Sequence, residues 1–117
     1  MTKRPILHVE MVVADREEAV EFYQQLFDWR FKNYPTQNYI AFNTNTVSGT
    51  LNTEADELGS GGSVLIYVAS DDIDADLDRA EELGGEVIIP RTPIPGVGWM
   101  GIFADPAGNH IGLMQIT

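Results

Sequence analysis

Three side chains of this sequence can bind metal ions or transfer protons: His8, Glu10 and His110. His8 and Glu10 lie two residues apart in the segment 6–13, where apolar residues alternate as they do in a half-buried β-strand. The alternation puts both side chains on the face opposite to the apolar one, about 7 Å apart along the strand. The same parity in the last predicted strand puts His110 on the corresponding face.

Two imidazoles and one carboxylate are enough for a facial divalent-metal site, and a carboxylate near an imidazole is enough for acid–base catalysis. In the second case Glu10 is the candidate catalytic group. Each histidine could instead be a hydrogen-bonded strand residue that binds no ligand. The residue types alone leave both interpretations open.

Two similar series of predicted elements would position these residues. In the first, the strand at 6–13 leads into a helix with Asp15 at its N-cap and Glu18 three residues later. In the second, a strand over 63–68 leads to a helix with three candidate N-caps, Ser70, Asp71 and Asp72, and with its end at Gly84-Gly85. Three strands are predicted after each helix: 29–34, 39–43 and 47–52 in the first series, and 86–89, 99–104 and 109–116 in the second.

The sequence therefore predicts one α+β domain over residues 1–117, built from two βαβββ modules at about 5–53 and 63–116. A glycine-rich, acidic segment over 54–62 is predicted to link them. One helix cannot cover both faces of a four-stranded sheet. Each module must therefore leave one face for the other module, for a second chain or for a ligand.

The charge of the chain excludes several kinds of partner. The net charge is −11, and residues 54–86 hold eleven of the eighteen acids but only one base. Such a field repels nucleic acids and anionic membranes. The sequence has no cysteine and no apolar run typical of a signal peptide or a membrane span. We therefore expect a cytoplasmic protein without disulfides.

Two segments within this repeated pattern resemble the vicinal oxygen chelate superfamily, which includes glyoxalase I, the bleomycin-resistance proteins and the extradiol dioxygenases. They are Leu7-His-Val-Glu-Met-Val-Val-Ala-Asp15 and Phe103-Ala-Asp-Pro-Ala-Gly-Asn-His-Ile-Gly-Leu113. The segment Pro93-Ile-Pro-Gly-Val-Gly98 is similar to a glyoxalase-like subfamily that is mostly uncharacterised. The resemblance implies that the two modules form a curved, cup-shaped mixed sheet with the helices on its outer face.

The resemblance also implies four positions for ligands of a divalent ion. In this sequence they fall on His8, the stretch from Ser48 to Thr50, Ser63 and Gly112. Only the first is an ordinary metal ligand, because serine and glycine cannot replace imidazole and carboxylate. A metal site is therefore expected only if Glu10 or His110 has taken over a ligand position.

Two main functions fit these residues. The first is a metal-independent binder of a small molecule. Its cavity would be lined by Tyr67, Leu65, Trp99, Met114 and Asn52. The second is a lyase, isomerase or dioxygenase that uses a divalent ion held by His8, Glu10 and His110 to polarise a substrate oxygen. An accessory domain that acts through its acidic surface is a third interpretation.

Two further expectations concern assembly and access to the cavity. The uncovered sheet faces and the family resemblance predict a homodimer. The proline- and glycine-rich segment from Pro90 to Gly98 is predicted to be a loop that forms a lid or rim, with Trp99 at the cavity mouth.

Overall fold

The computed structural model describes residues 3–36, 39–52 and 64–117, so the predicted linker 54–62 and Ser63 lie outside the described residues. The elements are β1 (Ile6–Val12), α1 (Arg16–Phe27), β2 (Arg30–Tyr34), β3 (Tyr39–Asn43), β4 (Ser48–Asn52), β5 (Val64–Ala69), α2 (Ile73–Glu82), β6 (Glu86–Ile94), β7 (Gly98–Ala104) and β8 (His110–Ile116). This order confirms the α+β class and the two βαβββ modules. Neither helix has the length and hydropathy needed to cross a lipid bilayer.

The chain divides into two compact units, which are residues 8–65 and residues 1–7 together with 66–117. In the first unit the strand order is β2-β3-β4-β1. There β1 and β4 run parallel, while β2 and β4 are both antiparallel to β3. In the second unit the order is β6-β7-β8-β5, again with one parallel pair, β5–β8, and two antiparallel pairs. The two modules therefore share one topology.

The first module buries one face of its sheet under α1. Asp15 caps this helix, and its side chain accepts a hydrogen bond from the amide of Glu18 at 3.1 Å, as the sequence predicts. The buried cluster contains Ile40, Phe42 and Leu51. Val9, Met11, Ala19 and Val20 are among the partly buried residues that pack against it. Since Val9 and Met11 point toward this cluster, the residues that alternate with them in β1 point to the other face.

A glycine allows the close packing within the first module. An added Cβ at Gly49 would lie 2.2 Å from Cζ of Phe42 and 2.4 Å from the carbonyl oxygen of Val9. No side chain fits in that space. The aromatic ring of Phe42 therefore lies over the backbone of β4 and stacks on Trp29, with a centroid distance of 5.0 Å.

The second module buries the face of its sheet that α2 covers. Asp72 is the N-cap of this helix and accepts a hydrogen bond from the amide of Ala75 at 3.1 Å. Ile73, Leu77 and Leu113 form the buried cluster beneath the helix.

On the opposite face of the second module, the ring of Tyr67 covers Gly112. The two residues are paired across β5 and β8, and an added Cβ at Gly112 would lie 2.4 Å from Cδ1 of Tyr67. Tyr67 is only 4 % exposed, so its ring has little space into which it could move. Position 112 is therefore closed to any larger side chain.

The prediction that residues 90–98 form a loop is wrong. β6 continues to Ile94, β7 begins at Gly98, and only residues 95–97 form the turn between them. β6 tolerates Pro90 and Pro93 because it is the edge strand of its module. On the outer side of an edge strand, a missing amide hydrogen leaves no carbonyl of a neighbouring strand without a hydrogen bond. The pairing also shifts between Val87 and Ile89 and again between Ile89 and Thr92, as expected at bulges.

The segment that precedes β1 is attached to the second module. The amide of Ala69 donates to the carbonyl of Pro5 at 3.0 Å, and the guanidinium of Arg4 pairs with the carboxylate of Asp76. The hydroxyl of Ser70 donates to the same carboxylate at 2.6 Å. Burial acts to raise the pKa of Asp76, but the bonds from Arg4 and Ser70 outweigh it and hold the pKa below its ordinary value of 3.8.

We predict that the Asp76→Asn variant is less stable than the parent at pH 7 by about 1 kcal/mol, because it loses a charge-assisted pair that is only partly buried. A carboxylate whose pKa is lowered on folding contributes stability above its ordinary pKa and loses it as the pH falls. The difference should therefore become smaller at pH 3, which is below that ordinary value. Urea unfolding at both pH values measures it, with the exposed Asp78→Asn on the same helix as control. A loss of equal size at pH 3 would contradict this account.

We also predict that Gly112→Ala destabilises the protein by about 1–3 kcal/mol, because the added methyl group overlaps the buried Tyr67 ring. In a Tyr67→Ala background the same exchange should cost less, since the ring is gone. A double-mutant cycle of unfolding free energies measures the coupling. Equal costs in both backgrounds would show that the ring does not close position 112.

Candidate functional site

The candidate site lies on the face of the first module opposite to α1, which we call the open face. Its side chains follow from strand register. Arg30, Asn43, Ser48 and His8 form one row across the four strands, and Lys32, Ala41, Thr50 and Glu10 form the next. Every residue of these rows alternates with a residue that faces α1 or its core. The packing of the module therefore fixes which side chains the open face presents.

A cavity with a volume of about 370 Å³ lies on the open face. It is lined by His8 of β1, Arg30, Phe31, Lys32 and Tyr34 of β2, Tyr39, Ala41, Phe42 and Asn43 of β3, and Ser48, Gly49 and Thr50 of β4. Small side chains occupy the middle strands, at Ala41, Ser48 and Thr50, while long ones lie at the β2 side. The volume is within the range of sites that hold a small organic molecule.

His8 lies at the β1 side of the cavity and is paired with a hydroxyl group. Its Nε2 is 3.1 Å from Oγ1 of Thr50 on the neighbouring strand. Burial lowers the pKa of His8 below its ordinary value of 6.5, because a charged imidazole is poorly solvated there. The ring is therefore neutral at pH 7. A neutral imidazole has one N–H donor and one nitrogen acceptor.

Glu10 lies on the same face as His8, as strand parity predicts, and it is 9 % exposed. Its Oε1 accepts a hydrogen bond of 2.9 Å from the amide group of Asn52. Neither Glu10 nor Asn52 is among the residues that line the cavity. The two candidate groups on β1 are thus held by two different side chains of β4.

His110 is the first residue of β8 and is exposed. It alternates with Ile111 and so lies on the face of the second module that α2 leaves uncovered, as parity predicts. Among residues 3–36, 39–52 and 64–117, no three histidine, aspartate or glutamate side chains are grouped so that they could hold a metal ion.

Three of the predicted cavity-lining residues, Tyr67, Leu65 and Met114, lie in the second module and are buried or partly buried. Tyr67 and Leu65 are 4 % and 3 % exposed, and Met114 is half-buried. None of these three lines the open-face cavity or a second one of about 360 Å³ at the start of β2.

The expectation for Trp99 needs a correction. Trp99 packs against the cluster of Ile73, Leu77 and Leu113 on the face that α2 covers, and the Arg91 guanidinium lies 4.3 Å from its ring centroid. The reason is parity, since position 99 shares its face with Gly101, where an added Cβ would lie 2.9 Å from Ile73. Trp99 therefore lies on the helix-covered face of its own module and not on the uncovered face.

Sequence reasoning missed the residues of β2 and β3 that line the cavity. The signal was present, because the apolar Trp29 and Phe31 alternate with Arg30 and Lys32 in a period of two. Tyr34 pairs with Tyr39 across the hairpin, with a distance of 5.1 Å between ring centroids. The histidines and carboxylates that suggested a site in the sequence lie on β1 and β8 instead.

The donor set does not fit the four-ligand metal centre that the resemblance implies. His8 is the only imidazole at the four expected positions, and its neighbours on β4 are the hydroxyls of Ser48 and Thr50. Gly112 has no donor atom, and Tyr67 fills the space that a side chain there would need. Neutral hydroxyls and glycine do not make a zinc or other divalent-metal site.

Comparisons with known proteins agree with this fold. The sequence profile of the Glyoxalase/Bleomycin resistance protein/Dioxygenase superfamily matches residues 5–113. "Putative glyoxylase CFP32" of Mycobacterium tuberculosis is 28% identical over 114 residues, which are 92% of this chain and 44% of the relative. The chain thus spans about half the length of this curated relative.

Solved structures share the fold at low sequence identity. A member of the same superfamily from Vibrio splendidus 12B01 has a TM-score of 0.66 and 16% identity, and the match covers 98% of this chain and 100% of that chain. Methylmalonyl-CoA epimerase from Mycobacterium tuberculosis has a TM-score of 0.65 and 16% identity over 96% of this chain and 87% of that chain. With its profile match and its two βαβββ modules, this chain belongs to the Glyoxalase/Bleomycin resistance protein/Dioxygenase superfamily.

Proposed function

We propose that this chain binds a small organic molecule on the open face of its first module, without the four-ligand metal centre of the metal-dependent enzymes it resembles. One observation carries the proposal. The open-face cavity has the volume of a small-molecule site and places a neutral imidazole and hydroxyl groups beside a floor of small side chains. The names of the similar proteins, a glyoxylase and a methylmalonyl-CoA epimerase, also refer to small-molecule chemistry.

The residues of the open face can orient a polar ligand. His8, Thr50 and Ser48 supply hydroxyl and imidazole groups, which can both donate and accept hydrogen bonds. Ala41 contributes little bulk in the middle of the floor, so a ligand can approach the strands closely. Because His8 is already paired with Thr50, a metal ion at Nε2 would have to break that bond.

The competing function is a divalent-metal enzyme that uses a rearranged site of His8, Glu10 and His110. The donor set favours the binder, because His8 is bonded to a hydroxyl and Glu10 to the amide of Asn52. The two functions differ in whether ligand binding requires an added ion.

We predict that small-molecule fragments bind the chain in buffer that contains EDTA, and that filling the cavity floor abolishes this binding. Ala41→Phe puts a ring into the cavity, and the same exchange at the exposed Ala75 of α2 is the matched control. Saturation-transfer NMR with a fragment library measures binding to the parent and to both variants. Binding to the parent and to Ala75→Phe, with its loss in Ala41→Phe, supports the proposal.

Two results of that screen would contradict the proposed function. In one, fragments bind only after zinc or manganese is added, and His8→Ala or His110→Ala removes the effect, which is the behaviour of the metal-dependent alternative. In the other, Ala41→Phe binds the same fragments as the parent, which places the binding site elsewhere.

A homodimer and a cytoplasmic location complete the proposal. Each module has one sheet face that its own helix leaves uncovered, and a second copy of the chain could cover part of this surface. Light scattering at micromolar concentration tests the assembly, and a mass near the 12.9 kDa of one chain would rule out the dimer. Fluorescence microscopy of the tagged protein tests the location, and a signal confined to the cell envelope would contradict it.

A further inference from the structure

We infer that the open-face cavity selects an anionic ligand, whose carboxylate or phosphate group lies at the β2 side near Arg30 and Lys32. This inference rests on the proposed function and adds the chemical class of the ligand. It depends on three features of the first module: its local charge, the lack of ion pairs at these two cations, and their position relative to His8.

The charge of the cavity strands has the opposite sign to that of the whole protein. The net charge of the chain is −11, yet residues 29–52, which include β2, β3 and β4, contain Arg30 and Lys32 and no acid. A concave surface with charge of one sign concentrates counter-ions of the other sign. The only acid in the two open-face rows, Glu10, does not line the cavity and accepts a hydrogen bond from Asn52, so the cavity itself is a local site of attraction for anions.

Among the described residues, the two cations lack the carboxylate partners that three other basic residues have. Ion pairs join Arg4 to Asp76, Arg79 to Glu82 and Arg91 to Asp74. Within the described ranges, no carboxylate lies within ion-pair distance of Arg30 or Lys32. Lys32 instead has its Nζ 5.0 Å from the centroid of the Tyr34 ring. A guanidinium and an ammonium on one edge strand are suited to carboxylate or phosphate oxygens.

The position of the cations gives the cavity two different ends. Arg30 and His8 stand in the same row, three strand spacings apart, which corresponds to about 14 Å between their Cα atoms. His8 is neutral at pH 7 because burial lowers its pKa, so positive charge is confined to the β2 side. A ligand with an anionic group at one end and a carbonyl or hydroxyl group at the other matches both ends.

The aromatic residues of the hairpin can hold the body of such a ligand. Tyr34 and Tyr39 line the cavity beside Lys32, and their rings are tilted by 30° with centroids 5.1 Å apart. Their faces offer apolar contact to a planar group next to the cations. An aromatic carboxylate is therefore the simplest probe, and its amide has the same shape without the charge.

The test compares benzoate, phenyl phosphate and benzamide by the chemical-shift changes they cause in 15N-labelled protein. The charge variant carries both Arg30→Gln and Lys32→Gln. The control variant carries both Lys3→Gln and Arg79→Gln, so it also loses one lysine and one arginine, but outside the cavity. We expect benzoate to shift the amide signals of Ala41 and Thr50 and to bind about fivefold more weakly to the charge variant. Benzamide should bind both variants equally, and salt at 0.5 M should weaken only the anions.

The outcomes separate the anion preference from the proposed function. If benzoate and benzamide bind the parent equally at Ala41 and Thr50, the binding function stands and the anion preference is wrong. If neither probe nor phenyl phosphate shifts these signals, both are wrong. If the control variant weakens benzoate as much as the charge variant does, general charge rather than Arg30 and Lys32 is responsible, and the inference fails. If anion binding weakens in the charge variant alone, the inference is supported. The anion that then binds the parent more tightly, benzoate or phenyl phosphate, shows whether the head group is a carboxylate or a phosphate.

Discussion

The packing of α1 on one face of the first sheet is the constraint on which the candidate site depends. Burying Ile40, Phe42 and Leu51 beneath this helix fixes both the register and the orientation of four strands. A shift of one residue would put these apolar groups in water and the polar row in the core. The open face is therefore a consequence of core packing, and His8 and Thr50 meet there because their neighbours Val9 and Leu51 pack on the α1 side.

The same rule explains how much could be predicted from the sequence. Helix caps and strand parity are local, so the sequence predicts the N-cap Asp15 and the face of β1 on which His8 and Glu10 lie. The extent of β6 was missed, because proline is acceptable only once a strand is known to lie at an edge. Trp99 was assigned to the wrong face because its position after a supposed loop was given more weight than its parity with Gly101.

Ligand chemistry was harder to predict than topology, because it depends on which strands are neighbours. The pairing of β4 with β1 brings a hydroxyl to His8 and an amide to Glu10, where the sequence alone suggested a shared metal ion. The hairpin of β2 and β3 adds the cations and tyrosines of the cavity. In the second module Tyr67 closes the position of a further expected ligand, Gly112. A fold common to metal enzymes thus carries a different donor set here.

The central claim is that ligands lie on the floor of the open face, over β3 and β4. The most direct measurement is of nuclear Overhauser effects between the protons of a bound fragment and methyl groups in 13C-labelled protein with EDTA present. The account predicts contacts to the methyl groups of Ala41 and Thr50, which line the cavity. Contacts to the methyl group of Met114, with none to Ala41 or Thr50, would contradict it.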